Sequence, residues 1–234
     1  MNTDQRLALT IPSAWDIGPG RRRARGGRVP LGSTRAGGWG AVGVADYVRD
    51  WLERRDGEPA SDLDLVVLLL NSLDLLADPP DRLADLTWFR GVAAEVGRDD
   101  IGSALGPGDL VRLRNLRESL RAVFQAKSSD EAAAMLNPML LRASAVPQLV
   151  VSADSILLQV GTGERGLAAL TARLPAALAE HVAHRGIGRL GTCAALPCQC
   201  AFIDHTRART RRFCCTACND RAAARLYRQR KRKV

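Results

Sequence analysis

Aromatic residues are scarce in this 234-residue chain: four Trp, four Phe and two Tyr, 4% of the total. An aromatic-rich core is excluded, so aliphatic side chains and Ala must fill the interior from a hydrophobic share of 46%. Long apolar runs are missing too. The longest, Leu65 to Leu70, falls far short of the ~20 residues that cross a bilayer, and no membrane association is expected. The N-terminus shows no apolar signal region, which points to a reducing cytosolic compartment. Histidine occurs only as His181, His184 and His205. The sequence contains no G-x-S-x-G, no H-E-x-x-H and no Walker loop, so no catalytic residues are expected.

Cysteine is absent before position 193, and all six cysteines then fall between Cys193 and Cys218. Cys193 and Cys198 form a C-x4-C pair, and Cys214 and Cys218 a C-x3-C pair. Four thiolates in two close pairs suit one tetrahedral structural zinc with no open position. Cys200 and Cys215 lie beside them and offer alternative ligands. A helix starting near Phe213 would place Cys214 and Cys218 at i and i+4 on one face. Pro197 predicts a tight knuckle before Cys198, and the stretch between the pairs could form a hairpin with a loop around His205 to Thr210. Knuckle, hairpin and helix around one metal make a treble-clef-like module. So short a segment would bury little apolar surface without the metal. His181 and His184, spaced i and i+3, are expected on the surface of the preceding helix.

The formal net charge of +9 is unevenly placed. Arg207, Arg209, Arg211, Arg212, Arg221, Arg225, Arg228, Arg230, Lys231, Arg232 and Lys233 crowd the C-terminus with little acid among them. Such a block attached to a metal-stapled module predicts polyanion contact. Arg221, Arg225, Arg228 and Arg232 recur at helical spacing as a guanidinium stripe, and a helix of that width fits the DNA major groove. Arg230 to Lys233 are expected to touch phosphates only, and Arg221 to brace the zinc loop through backbone carbonyls. Ala222, Ala223 and Leu226 would pack back on the hairpin. A second basic cluster, Arg21-Arg22-Arg23 with Arg25 and Arg28, lies in a Gly-rich stretch that reads as an extension.

Upstream, a short helix is predicted over Val44 to Arg55. Leu65 to Leu70 reads equally as a buried strand or a helix segment. Asp109 is a fair N-cap for a helix through Gln125, with Leu110, Leu113, Leu116, Leu120 and Phe124 inward. A helix follows from Ser129 to Leu136, then a hairpin over Gln148 to Val160 turning at Ser152 to Ser155. Leu167 to His184 is an Ala/Leu helix that Pro175 should kink or divide. Gly161-Thr162-Gly163-Glu164-Arg165-Gly166 matches G-x-G-x-x-G, but no second parallel strand with an acidic tip can follow it. A strand-to-helix loop is the economical reading, and no cofactor other than zinc is expected. The fold class is therefore α+β: a mainly helical N-terminal domain with a small antiparallel sheet, plus a C-terminal treble-clef-like zinc finger. The expected division is an extension over 1–58, a domain over 59–187 and the finger over 188–234.

The finger resembles the CGNR zinc finger of bacterial proteins. The matching positions are Cys193, Cys198, Phe202-Ile203-Asp204, Arg211-Arg212-Phe213-Cys214 and Cys218-Asn219-Asp220-Arg221. This chain departs by reading Cys-Asn-Asp-Arg for Cys-Gly-Asn-Arg, by Phe213 in place of Trp, and by a second pair one residue shorter than in many members. Upstream, Leu70-Asn71-Ser72, Asp81-Arg82-Leu83, Trp88-Phe89, the series Arg112, Arg114, Arg117 and Arg121, and Leu136-Asn137 are similar to the ABATE domain that accompanies such fingers. The resemblance implies a transcription regulator in the bacterial cytoplasm, nucleoid-associated when DNA-bound. The upstream domain would sense a small-molecule effector or form a homodimer, and the finger would dock on DNA. RNA is the alternative partner, although the paucity of aromatics argues against base stacking on single strands. An enzymatic or ligand-binding upstream domain tethered by the finger, and a finger used only for protein contacts, are the readings from other classes.

Overall fold

The computed structural model describes residues 60–151, 156–161 and 163–232. The expected extension, the Val44–Arg55 helix, the hairpin turn at Ser152–Ser155 and Lys233 lie outside them.

Among the described residues the element order begins with helix α1, Asp62–Leu70, which settles the ambiguity of the apolar run. Ser61 starts it with a capping box: its hydroxyl accepts from the Asp64 amide at 3.3 Å, and the Asp64 carboxylate accepts from the Ser61 amide at 2.7 Å. Periodicity could not decide because Leu65 to Leu70 are all 0% exposed. A helix wrapped on every side is apolar all round. The helices that enclose it are α2 (Thr87–Glu95), α3 (Asp99–Ser103), α4 (Asp109–Gln125), α5 (Ser129–Arg142) and α6 (Gly166–Arg185), with α1 packing directly on α2, α4 and α6.

Between α5 and α6 stand β1 (Pro147–Val151) and β2 (Ile156–Val160), an antiparallel hairpin. After α6 a single 3-10 turn leads into β3 (Leu190–Thr192), which pairs antiparallel with β4 (Ala201–Ile203), and α7 (Thr216–Lys231) ends the order. Among the described residues the fold is thus mainly helical with two small antiparallel pairs, as the sequence patterning suggested.

Several expectations need adjustment. Asp109 is the first residue of α4 rather than its cap, and its carboxylate accepts from the Gly106 amide at 2.9 Å. Helix α5 passes through Pro138 to Arg142 instead of stopping near Leu136, because Leu136 and Met139 both bury against the core. Helix α6 is not divided at Pro175. Leu170, Leu174 and Leu178 are each at most 1% exposed, and their packing holds the helix where proline removes a hydrogen bond. The glycine-rich loop follows from backbone demands. Gly163 has φ +90°, and a Cβ on Gly166 (φ +56°) would stand 2.8 Å from the Ala104 carbonyl oxygen.

The short patterns of the upstream domain converge on one polar network. Asn71 ends α1 and turns its amide onto the finger: Nδ2 donates to the Ala201 carbonyl at 3.0 Å, and Oδ1 accepts from the Ala201 amide at 2.7 Å. Arg121 donates to the carbonyls of Leu70 and, at 3.3 Å, of Gln199. Arg117 grips Asp81 through two nitrogens at 2.7 and 3.0 Å and donates to the Ser72 hydroxyl at 2.9 Å. The Arg117 guanidinium holds the Asp81 carboxyl below the usual carboxylate range. Arg82 donates to the Asn71 carbonyl at 3.2 Å, and Arg114 to that of Leu83 at 3.0 Å. Ala201 and Ile203 of β4 belong to the same apolar core as α1. Helices and finger hairpin therefore share one interior.

Asn71→Ala should destabilise the chain by about 2–6 kcal/mol, since a buried amide and a buried carbonyl each lose a partner at about 1–3 kcal/mol. Urea denaturation followed by circular dichroism checks this. A midpoint within error of the parent would contradict the two-bond reading.

Candidate metal centre and its basic surroundings

The sequence from Cys193 to Cys200 forms the loop that joins β3 to β4. The Cys193 amide donates to the Cys200 carbonyl at 2.9 Å, closing the loop, and the Cys198 amide donates to Ala195 at 3.0 Å, making the knuckle. Pro197 sits in that knuckle after a cis peptide bond. The hairpin expected around His205–Thr210 is thus a different one. Its strands flank the first cysteine pair, and His205 to Thr210 form the loop that follows β4. The Ala194 amide donates to the Arg212 carbonyl at 2.9 Å, which returns the chain alongside the knuckle.

Helix α7 starts at Thr216, with Cys215 at its cap, so Cys218 is helical and Cys214 precedes the helix. The expected i and i+4 relation on one helix face does not form. The two thiols meet because the chain bends at Cys214 and passes through the extended Cys215 into the helix, leaving their sulfurs 3.6 Å apart.

The sulfurs of Cys193, Cys198, Cys214 and Cys218 all lie within 4.8 Å of one another. Cys193, Cys198 and Cys218 are buried and Cys214 is half-buried. This donor set, with soft ligands converging from a knuckle and a helix start, could hold one zinc ion. Cys215 has its sulfur 3.8 Å from that of Cys214, and Cys200 is half-buried beside the group. Crowding shapes the thiols. Hydrogen bonds from the Cys200 and Cys214 thiols pull Cys198 well down. Hydrogen bonds with Cys198 and Cys200 push Cys214 up, and burial followed by the charge on Cys198 pushes Cys218 up. Further thiolates beside the first require a cation, which is what a divalent metal supplies.

Arg211 organises the second half of the site. Its guanidinium lies 4.9 Å from the Phe202 ring centroid. It donates to the carbonyls of Phe213 at 3.0 Å, Ile203 at 3.3 Å and, closely, Cys214. Its amide donates to the Asp204 carboxylate at 2.9 Å. Asp204 is buried and also accepts from the Thr206 amide and hydroxyl at 2.8 and 2.6 Å. Burial opposes its charge, but these donors outweigh it and hold the carboxyl below the ordinary range. Arg189, which sequence reasoning passed over, donates to the Asp204 carbonyl at 3.0 Å. The carbonyl-bracing role expected of Arg221 therefore belongs to Arg211. Arg221 instead places Nη1 3.3 Å from the Cys218 sulfur.

Of the other basic residues expected to meet nucleic acid, Arg207, Arg209, Arg212, Arg225, Arg228, Arg230, Lys231 and Arg232 are exposed. Arg212 lies over the Phe213 ring at 5.8 Å and Lys231 over Tyr227 at 5.2 Å. Ala222 packs against the cysteine cluster, whereas Ala223 is exposed and Leu226 is 55% exposed. They do not pack back on the hairpin because the helix leaves the body of the protein after its first turns. His184 is exposed as expected. His181 is half-buried, with a partnerless Nε2 among the described residues. Burial, then His205, Arg185 and Arg189, push its pKa down to about 4.

A knuckle, a short hairpin and a helix delivering four thiols define a zinc-finger protein. The CGNR zinc finger model matches residues 189–231, and the model of the ABATE family, described as "putative stress-induced transcription regulator", matches residues 63–185. The chain belongs to the ABATE family and carries a CGNR zinc finger behind it. Neither family is a family of enzymes. No curated protein matches the chain. Among the described residues, no helix is long and apolar enough to cross a membrane.

Arg211→Ala should weaken zinc retention by about 10- to 100-fold, the usual effect of removing a group that orients metal ligands. Competition with a chromogenic chelator measures it. Unchanged affinity would show that the carbonyl contacts do not position Cys214.

Proposed function

We propose that this protein is a zinc-dependent transcription regulator of the bacterial cytoplasm that docks on duplex DNA through α7. Cys193, Cys198, Cys214 and Cys218 are its zinc ligands. A metal closed by four thiolates has no open position for water, so the ion is structural and no catalytic step is assigned. The observation that carries the reading is the placement of α7. Its first turn is anchored at the thiol cluster through Cys218 and Ala222, and the rest of the helix is exposed with Arg225, Arg228 and Arg232 along it. A rigidly rooted helix that projects guanidinium groups can enter a major groove, where Arg reads guanine edges or clamps phosphates. Arg207, Arg209 and Arg212, on the loop and the segment before the helix, supply further phosphate contacts, as do Arg230, Lys231, Arg232 and Lys233. Arg211 and Arg221 serve the zinc site first.

The ABATE domain is the signal-receiving and dimerising part, with a small molecule as the effector class. Because Asn71 reaches β4 and Arg121 the residue Gln199 between the knuckle and β4, a change in the helical interior is felt at the finger. A two-fold dimer would present two α7 helices to inverted half-sites.

Serine replacement of any of Cys193, Cys198, Cys214 or Cys218 should abolish stoichiometric zinc, and Cys200→Ser or Cys215→Ser should leave one zinc per chain, read by metal analysis of the purified protein. Zinc lost on replacing Cys200 or Cys215 would reassign the ligands.

Fluorescence anisotropy across a salt series tests the polymer. Zinc-loaded protein should bind duplex DNA in preference to matched single-stranded RNA. Replacing Arg225, Arg228 and Arg232 by Ala should make the log–log salt slope shallower by about 2.7, at about 0.9 per lost phosphate contact. Preference for the RNA would move the protein to the RNA-binding class, and salt-insensitive weak binding to both would assign the finger to protein contacts.

A further inference from the structure

A sheet packed on a helical layer ordinarily turns its apolar face inward. The β1–β2 hairpin does not. Its register pairs Pro147 with Val160, Leu149 with Leu158 and Val151 with Ile156. Directly opposed residues share a face, as do residues two apart along a strand. One face therefore consists of Pro147, Leu149, Val151, Ile156, Leu158 and Val160, while Gln148 and Gln159 share the other with the half-buried Val150. Leu149, Val151, Ile156 and Leu158 are 71%, 74%, 67% and 70% exposed, and none of them belongs to the hydrophobic core. Scattered exposed apolar residues need no explanation, but a contiguous face of this kind, on the order of 300–400 Å², marks an interaction surface.

We propose that this face is a homodimer interface, in which two copies of the chain stack their β1–β2 hairpins face to face about a two-fold axis. Three observations select a second copy as the occupant. The register pairs like with like, so a two-fold axis parallel to the strands and midway between two stacked ribbons sets Leu149 of one copy over Leu158 of the other, Val151 over Ile156 and Pro147 over Val160. The face is nearly its own image, which suits an isologous contact. It carries no charge, so it asks no charge complement of a partner. Between Pro147 and Val160 there is also no aromatic and no basic residue, the groups that a lipid surface would favour.

The area is consistent with a dimer of modest affinity. Two such faces bury on the order of 600–800 Å², short of the roughly 1,200–2,000 Å² of a standard interface. The hairpins thus form the dry centre, and surrounding surface must complete the rim. Leu141 and Val146, 79% and 55% exposed just before β1, lie where that rim would run. Stacking also explains why so short a ribbon persists. A lone two-stranded hairpin is marginal in water, and two of them about 10 Å apart make a small sandwich.

The test is the mass of the full zinc-loaded chain by sedimentation equilibrium, without nucleic acid, from about 1 to about 100 µM. The parent is expected to approach twice the 25.3 kDa of one chain. The Leu149→Glu/Leu158→Glu double variant should dimerise at least about ten-fold more weakly, with zinc content and circular dichroism unchanged. If that variant does not fold, Leu149→Gln/Leu158→Gln gives the same comparison at lower cost to the strands. A parent that stays monomeric throughout, whether its face is covered by another part of the chain or awaits a different protein, overturns the proposal. So does a folded variant that dimerises as tightly as the parent. The inference stands apart from the DNA reading. A monomer that binds duplex overturns the interface alone, and a dimer indifferent to duplex overturns the DNA reading alone.

Discussion

The side chain of Asn71 holds the two halves of the protein in one piece. It stands at the end of a helix with no exposed face, and both polar atoms of its amide are committed to one residue of the finger hairpin, Ala201. Inside a core, a backbone amide and carbonyl must find partners. β4 has only three residues and one neighbouring strand, so its outer edge would otherwise be left unsatisfied. Asn71 acts as the missing strand. Arg121 performs the same service for Gln199 and for the carbonyl of Leu70, the last residue of α1. Arg117, Asp81, Ser72 and Arg82 hold that helix end in place. Arg114, Arg117 and Arg121 of the upstream series thus form an internal scaffold, while Arg112 faces solvent.

The metal centre uses the same logic on a smaller scale. Six cysteines in one small segment crowd their sulfurs, and a thiolate at Cys198 works against further charge on Cys214 and Cys218. Zinc resolves the conflict between burial and charge. What fixes the geometry is the ring of carbonyls that Arg211 collects from both sides of the site, with Asp204 holding the backbone of Arg211 and Arg221 touching the Cys218 sulfur. Basic residues near a finger therefore divide into two populations. Arg211 and Arg221 turn toward the metal loop, whereas Arg212 of the same motif is exposed. Those further along α7 point to solvent.

Much of this was legible in the order of residues. The cysteine spacings and the basic tail gave the zinc finger, and hydrophobic periodicity gave α4, α6 and the β1–β2 hairpin close to their observed limits. The errors share a cause. Leu65 to Leu70 could not be assigned because burial on all sides erases periodicity. The helix expected to end at Leu136 runs on to Arg142, and the one expected to kink or divide at Pro175 is not divided, because packing overrides local propensity. Cys214 was placed on a helix because four-residue spacing suggests one, whereas a bend at Cys214 and the extended Cys215 entering α7 bring the two sulfurs equally close. Leu226 was expected inside because nothing in a helical pattern says where the body of the protein ends.

The sequence by itself determined the chemistry: which atoms could bind a soft metal, where positive charge would gather, and which segments carried enough apolar surface to bury. Those properties follow from side-chain identity and short-range spacing. Only the tertiary structure decided which of two chemically equivalent arginines would face solvent and which would hold a carbonyl. It alone joined Asn71 to Ala201 across 130 residues and left one face of a hairpin apolar and uncovered. Such outcomes depend on which distant backbone groups still lack a partner once the helices have packed, and no local pattern encodes that remainder.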